Sequence, residues 1–328
     1  MAAFSGMRFL RFVWPSLLLL LLALTSLSVG PASVTLAEMF GLSDGQQAEQ
    51  AHLVLVELRL PRTIMAVLTG ATLAVGGAVM QSLFRNPLAE PGLVGVSAGA
   101  ALGAVAAIAL GVTGFLAIGA AGFVGAALAT GVAWQFSRGW PGSAGLLLAG
   151  VAINALVFSV IGLLIAYSSD AQIRSMTFWS LGSMSRTPWI VAMALLIWLP
   201  LCWWWVYRHW LALDALLLGE SEADRLGVNV RSLRASLILA MALTVGPLVA
   251  FTGTISFVGL LVPHVVRRIY GSSHQQLLPL AALFGATAVL IADIISRLLV
   301  APAELPVGVV ISLIGAPTFL WLLRRISR

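Results

Sequence analysis

Between Pro91 and Ser137 the chain carries no charged side chain, and the same holds for residues 139–169 and 235–263. A soluble domain carries charge on about 25% of its positions, which leaves no room for blank stretches of this length. Only 9% of these 328 residues are charged and 60% are apolar. The mean hydropathy is +1.03. A water-soluble fold is excluded for want of polar surface, and a polytopic all-α membrane protein is the class that remains.

The charges that do exist narrow the chemistry. Every basic residue is an arginine, and there is no lysine at all. A Walker A nucleotide site needs a lysine for phosphate, and Schiff-base catalysis needs one as nucleophile, so both are excluded. Cys202 stands alone, which excludes an internal disulfide and a multi-cysteine metal cluster.

A spanning helix needs about 20 mostly apolar residues. Residues 12–29 form the first such run, behind Arg8 and Arg11. Basic flank and apolar core also suit a signal peptide, but no A-x-A site follows and the remaining chain is equally apolar, so it is read as a retained helix. Residues 31–57 hold Glu38, Asp44, Glu49, His52 and Glu57 and are expected to form an external loop. A second helix is expected from Arg59 to Arg85. The run 91–137 is too long for one helix and suits two, divided at Gly111-Val-Thr-Gly114. A fifth spans about 143–167 and a sixth about 189–207, on either side of a polar segment at 168–187. The run 235–263 exceeds one span and falls short of two. Gly246-Pro247 and Gly253 interrupt it, predicting a full helix, non-helical backbone and a shortened helix. Helices over about 277–299 and 306–323 bring the expected count to ten.

With both termini cytoplasmic, ten helices place Arg8, Arg11, Arg85, Arg138, Arg208, Arg225, Arg231, Arg234, Arg267, Arg268, Arg324, Arg325 and Arg328 inside. Arg59, Arg62, Arg174, Arg186 and Arg297 fall outside. That is the positive-inside bias. The formal charge of +6 therefore reports topology, and no nucleic-acid partner is expected. Gly95, Gly99, Gly103, Ala107 and Gly111 recur every four residues, the spacing of close helix packing.

Several tracts are more specific: Leu58-Arg-Leu-Pro-Arg62, Gln81-Ser-Leu-Phe-Arg85-Asn-Pro-Leu-Ala-Glu90-Pro-Gly-Leu-Val-Gly-Val-Ser97, Leu146-Leu-Leu-Ala-Gly-Val151, Phe178-Trp-Ser-Leu-Gly-Ser183, Leu218-Gly-Glu-Ser-Glu-Ala-Asp-Arg-Leu-Gly227, Phe257-Val-Gly-Leu-Leu-Val-Pro-His264 and Glu304-Leu-Pro-Val-Gly308. Together, and in this order, they resemble the FecCD/BtuC-type permeases of ATP-binding-cassette importers (type II), and most closely the haem permeases among them. The resemblance implies a single permease domain over 1–328, with ten helices and a homodimeric pathway in the bacterial inner membrane. It implies no cofactor in this subunit. Its expected partners are a second copy, two ATP-binding subunits that use ATP and Mg, a periplasmic substrate-binding protein and membrane lipid.

The same resemblance assigns roles. Leu218, Gly219, Glu220, Ser221, Ala223, Leu226 and Gly227 match the segment that couples to the ATPase, within a cytoplasmic stretch of about 214–230; on residues alone a solvated loop reads as well. Arg59, Arg62 and Arg297 match positions that receive carboxylates of the binding protein. On residues alone they snorkel to the interface, or Arg297 pairs with Asp293 at i, i+4. Asn86, Leu88 and Ser143 match a cytoplasmic gate, although Trp140-Pro-Gly-Ser143 departs from the family pattern. Arg174 suits a substrate carboxylate and a structural hydrogen bond equally. His264, beside Arg267 and Arg268, is read as structural and not as a haem ligand. Haem is the expected substrate, with a ferric siderophore and cobalamin as alternatives. An ion-gradient-driven transporter is disfavoured because Asp293, the main acid within a span, has Arg297 beside it.

Overall fold

The computed structural model describes residues 2–30, 49, 51–138, 140 and 144–326. Among them every regular element is helical: α1 (Ala2–Ser28), α2 (Leu60–Leu83), α3 (Val96–Ala109), α4 (Phe115–Ser137), α5 (Ala144–Ala166), α6 (Asp170–Ser180), α7 (Trp189–Tyr207), α8 (Trp210–Leu218), α9 (Glu220–Arg225), α10 (Val230–Thr252), α11 (Val258–Tyr270), α12 (His274–Leu298) and α13 (Val307–Ile326). Seven helical stretches among the described residues are long and apolar enough to cross a membrane. The shorter apolar α3 and α13, and α11 between α10 and α12, are compatible with the expected count of ten.

The bundle is organised around α2. A helix apolar on all sides has no face to give to water and is buried by its neighbours. Nearly every residue of α2 is enclosed, by α12, α11, α7 and α10. Small residues bring these backbones together. A Cβ at Gly70 would stand 2.0 Å from the Gly285 carbonyl oxygen on α12, and one at Gly77 would stand 1.8 Å from that of Gly259 on α11. Where lipid tails remove the hydrophobic incentive for helices to associate, such close van der Waals approach is what holds them. The small-residue stripe of α3 serves the same purpose against α4. It ends at Gly111, which has φ +82° and no neighbour to crowd a side chain, so that glycine turns the chain instead.

Three elements differ from the sequence reading. Residues 53–57, expected in the external loop, belong instead to a π-helical turn (Leu53–Arg59) that runs directly into α2. Their pattern Leu-Val-Leu-Val has no polar reason to leave a helix. The polar segment after α5 contains the helix α6, opened by Ser169: Gln172 Oε1 accepts from the Ser169 amide and hydroxyl. The Gln172 amide in turn donates to the Ile108 and Ala109 carbonyls at the end of α3. Finally, α10 passes through Gly246-Pro247 unbroken, since one lost donor is tolerated in a packed spanning helix.

The expected break comes at Gly253 instead, with φ +73°. Irregular backbone at this depth must be covered by protein. The end of α6 does this: the Thr254 hydroxyl donates to the Ser180 carbonyl at 2.5 Å, and the Ser183 amide donates to Thr252 O at 2.8 Å.

Candidate functional site

Two polar assemblies lie at opposite ends of the bundle. At one end the hydrophilic stretch after α7 resolves into α8, α9 and the start of α10. Gly219 takes φ +120° and ψ 156°, a region open in practice to glycine alone, and swings the chain from α8 into α9. At the far end the Val228 amide reaches the Ala223 carbonyl and Gly227 (φ +84°) reaches Asp224, which terminates the helix. The helix is pinned rather than loose. Arg234 of α10 pairs with Glu220 at 2.8 Å, and Ala223 is fully buried beneath it.

What α9 shows outward is mixed. Leu218 and Leu226 are 68% and 65% exposed, flanking Ser221, Glu222, Asp224 and Arg225. Two large apolar side chains are thus held in the open around an acidic helix, as a protruding knob. Beside it a groove of about 610 Å³ is lined by Trp134, Arg138, Trp140, Asp224, Arg231 and Arg234, among others.

The preceding helix anchors this knob to the bundle. Asp214 lies in the apolar α8, and its Oδ1 accepts from the backbone amide of His274 (2.8 Å) and lies 2.5 Å from His274 Nδ1, while Oδ2 accepts from Ser273. The other ring nitrogen of His274 lies 2.5 Å from Ser82 Oγ at the end of α2. Serine, histidine and aspartate stand here in the order of a hydrolase triad. Ser82 and His274 are both 0% exposed, so no substrate reaches them, and the chain of bonds ties α8 to α2 and α12. Sequence reasoning missed this link. The available signal was Asp214 itself, an acid in a run of Leu and Ala that required a buried partner.

The connection from α2 to α3 carries the expected gate residues Asn86 and Leu88. Asn86 Oδ1 accepts the Leu88 amide at 2.9 Å, an Asx turn that follows Arg85 at φ 48°. Leu88 is 44% exposed at the tip. Glu90 follows, and burial pushes its carboxyl above the ordinary range. Ser143 lies outside the described residues. Arg174 is exposed on α6, near the opposite end.

At that opposite end the three arginines expected to receive a partner are turned inward. Arg59, Arg62 and Arg297 are 5%, 6% and 2% exposed. Arg59 donates to the Leu27 and Ser28 carbonyls at the end of α1. Arg297 donates to Ser26 O, Val29 O and Ser26 Oγ. Asp293, fully buried, stands between Arg62 (2.8 Å) and Arg297 (2.9 Å), and Glu304 closes the other side of Arg62 at 2.7 Å. The i, i+4 pairing of Asp293 with Arg297 is thus present, inside a larger assembly that the spacing alone did not reveal. It binds the ends of α1, α2 and α12 to the segment before α13.

The described residues contain no group of His, Cys, Asp and Glu side chains able to hold a metal ion. His264, half-buried on α11, joins no such group.

Comparison with known proteins finds matches over nearly the whole chain. The family model described as FecCD transport family matches residues 18–325. The hemin transport system permease protein HmuU of Yersinia pestis is 42% identical over 94% of this chain and 93% of its own length. The vitamin B12 import system permease protein BtuC is 39% identical in Escherichia coli O157:H7 and in Shigella boydii, over 95% of this chain and 94% of theirs. A solved inward-facing metal-chelate type ABC transporter superposes with a TM-score of 0.87 at 31% identity, covering 98% of this chain and 99% of that one. PsaBC from Streptococcus pneumoniae shares the fold, with a TM-score of 0.60 at 19% identity, over 82% of this chain and 92% of that one.

Proposed function

The chain belongs to the FecCD transport family of ABC importer permeases, and we propose that it conducts haem across the bacterial inner membrane, driven by a separate ATPase dimer. The observation that carries the energetic half of this reading is the α8–α9 knob. A chain without lysine has no Walker A site of its own, so energy must enter by contact with another subunit. A short rigid helix with Leu218 and Leu226 exposed and Glu220 anchored to Arg234 is suited to that contact. Through Asp214, His274 and Ser82 a push on α8 reaches α2, the helix about which the bundle packs. The arginine-rich end, which holds this knob, is read as cytoplasmic.

The remaining roles follow from that orientation. The mostly exposed apolar α5 is read as facing a second copy across the pathway. Asn86 and Leu88 are read as part of the inner constriction, and Arg174 as a contact for substrate carboxylates such as haem propionates. Docking of a periplasmic binding protein is assigned to the outer ends of α1, α2 and α12. Arg59, Arg62 and Arg297 brace that platform from within, and Arg62 can meet a partner carboxylate by exchanging Glu304, whose side chain is 31% exposed.

Haem is favoured over cobalamin by the tract 85–103 and by the greater identity to the hemin permease, a margin of 42% against 39%. The deciding experiment is uptake into proteoliposomes that hold the permease, its ATPase and its binding protein. ATP-dependent entry of haem, with cobalamin and a ferric siderophore excluded, is the expected outcome. Entry of either alternative in place of haem overturns the substrate. Leu226→Asp should leave the assembled permease intact and abolish ATP-driven uptake; undiminished uptake removes α9 from the coupling path.

A further inference from the structure

A second groove, of about 680 Å³, opens at the arginine-rich end between the start of α1, the end of α7 and the start of α12. It is separate from the α9 groove and from the outer ion cluster. Its depth is apolar, with Phe12, Trp203, Pro279 and Leu283 in its wall, and no acid is among its lining residues. Two cations are attached to that wall. Arg11 donates to Oε1 of the lining Gln276 at 3.0 Å, and the Arg208 guanidinium lies 4.9 Å from the ring centre of the lining Trp204. The helices on either side present Leu17, Leu20 and Leu21 of α1 and Ile197 and Leu201 of α7 outward, so the groove continues into a lipid-facing surface.

We infer that this groove is a site for an anionic glycerophospholipid of the leaflet at the arginine-rich end. The volume falls within the roughly 300–1,000 Å³ of pockets that enclose a small ligand. An apolar floor takes an acyl chain, and an acid-free lining with two guanidiniums set against it takes a phosphate, which arginine holds through charge-assisted hydrogen bonds. A zwitterionic lipid fills the apolar part equally well but brings a second cation toward Arg11 and Arg208. A soluble anion engages the guanidiniums and leaves the apolar depth empty. Charge and shape together select the anionic lipid, which would bridge α1, α7 and α12. The inference is independent of which substrate is carried.

The test is native mass spectrometry of the purified full chain, exchanged against phosphatidylglycerol, phosphatidylcholine of the same chains, and glycerol phosphate. The expected preference for phosphatidylglycerol over phosphatidylcholine is about tenfold or more, given the attraction of two arginines near the headgroup. It should fall to near parity in Arg11→Gln/Arg208→Gln. Parity in the unaltered chain overturns the inference, as does a preference that survives the double substitution. Glycerol phosphate retained as well as the lipid overturns it too, by marking a phosphate site only. Should the double variant misfold, Arg208→Gln alone, at an exposed position, must still reduce the preference measurably.

Discussion

Replacing Asp293 by asparagine tests the outer ion cluster with little change of shape. The side chain is 0% exposed, and its two oxygens serve Arg62 at 2.8 Å and Arg297 at 2.9 Å. The second contact is an ion pair without hydrogen-bond alignment, so charge accounts for most of it. Two unit charges about 4 Å apart attract by about 4 kcal/mol at an effective dielectric of 20. Desolvation of the aspartate, several kcal/mol for a buried ion, offsets much of that in the intact chain. The substitution recovers this desolvation but leaves two buried guanidiniums short of their shared counter-ion. Arg297 keeps its bonds to Ser26 and Val29, and Arg62 keeps Glu304, so the cluster weakens without dispersing. Loss of one partner from a buried pair costs about 3–5 kcal/mol, which is the expected destabilisation. Reversible unfolding in mixed micelles, followed by tryptophan fluorescence, measures it. Asp293→Asn/Arg297→Gln should cost less than the sum of the single changes, because the contact they share is lost only once. A single substitution within about 0.5 kcal/mol of the unaltered chain would refute the argument.

Other consequences follow from particular contacts. Gly285→Ala places a methyl group 2.2 Å from the Gly70 carbonyl, which must push α2 and α12 apart; the yield of folded protein on size-exclusion chromatography should collapse, while Gly131→Ala, with open space around it, should behave as unaltered. Asp214→Asn removes the anion that caps α12 and holds His274. It should cost about 1–2 kcal/mol in the same unfolding assay and make the α8–α9 segment more accessible to protease, whereas an unchanged cleavage rate would disconnect the segment from the bundle. Glu90 has its carboxyl raised by burial, so the folded chain holds that proton to higher pH than the unfolded one. Stability from this group is therefore greatest below the unfolded value and is lost as pH rises through the folded one. Thermal midpoints measured from pH 4 to 8 should decline less across that window in Glu90→Gln, and identical profiles would remove the effect.

The sequence was sufficient wherever one physical rule acts locally. Uncharged runs longer than a bilayer is thick must become spanning helices, so the order of apolar helices along the chain was legible. Gly219 and Gly227 bracketed α9 because backbone with positive φ admits little else. Gly253 ended α10 for the same reason, whereas Gly246-Pro247 did not end it. The loss of a single donor is a small penalty once neighbours pack around it. A capping box at Ser169 is present in the letters, but the polar segment 168–187 does not by itself announce a helix, since α6 draws its stability from contacts with α3 and with the break after α10.

Composition determined the solvent of this protein, and spacing determined its punctuation; both act on residues next to one another in the chain. The destinations of its few polar side chains were decided by tertiary structure alone. Arg62 meets Asp293 across 231 positions, and His274 meets Asp214 across 60. In a medium without water, an ionised group must be satisfied by whichever helix lies beside it. That neighbour is chosen by close packing at glycines such as Gly70 and Gly77, and it leaves no periodic signal in the sequence. Three arginines legible as the set on the outer side are for this reason found turned toward the interior of the bundle.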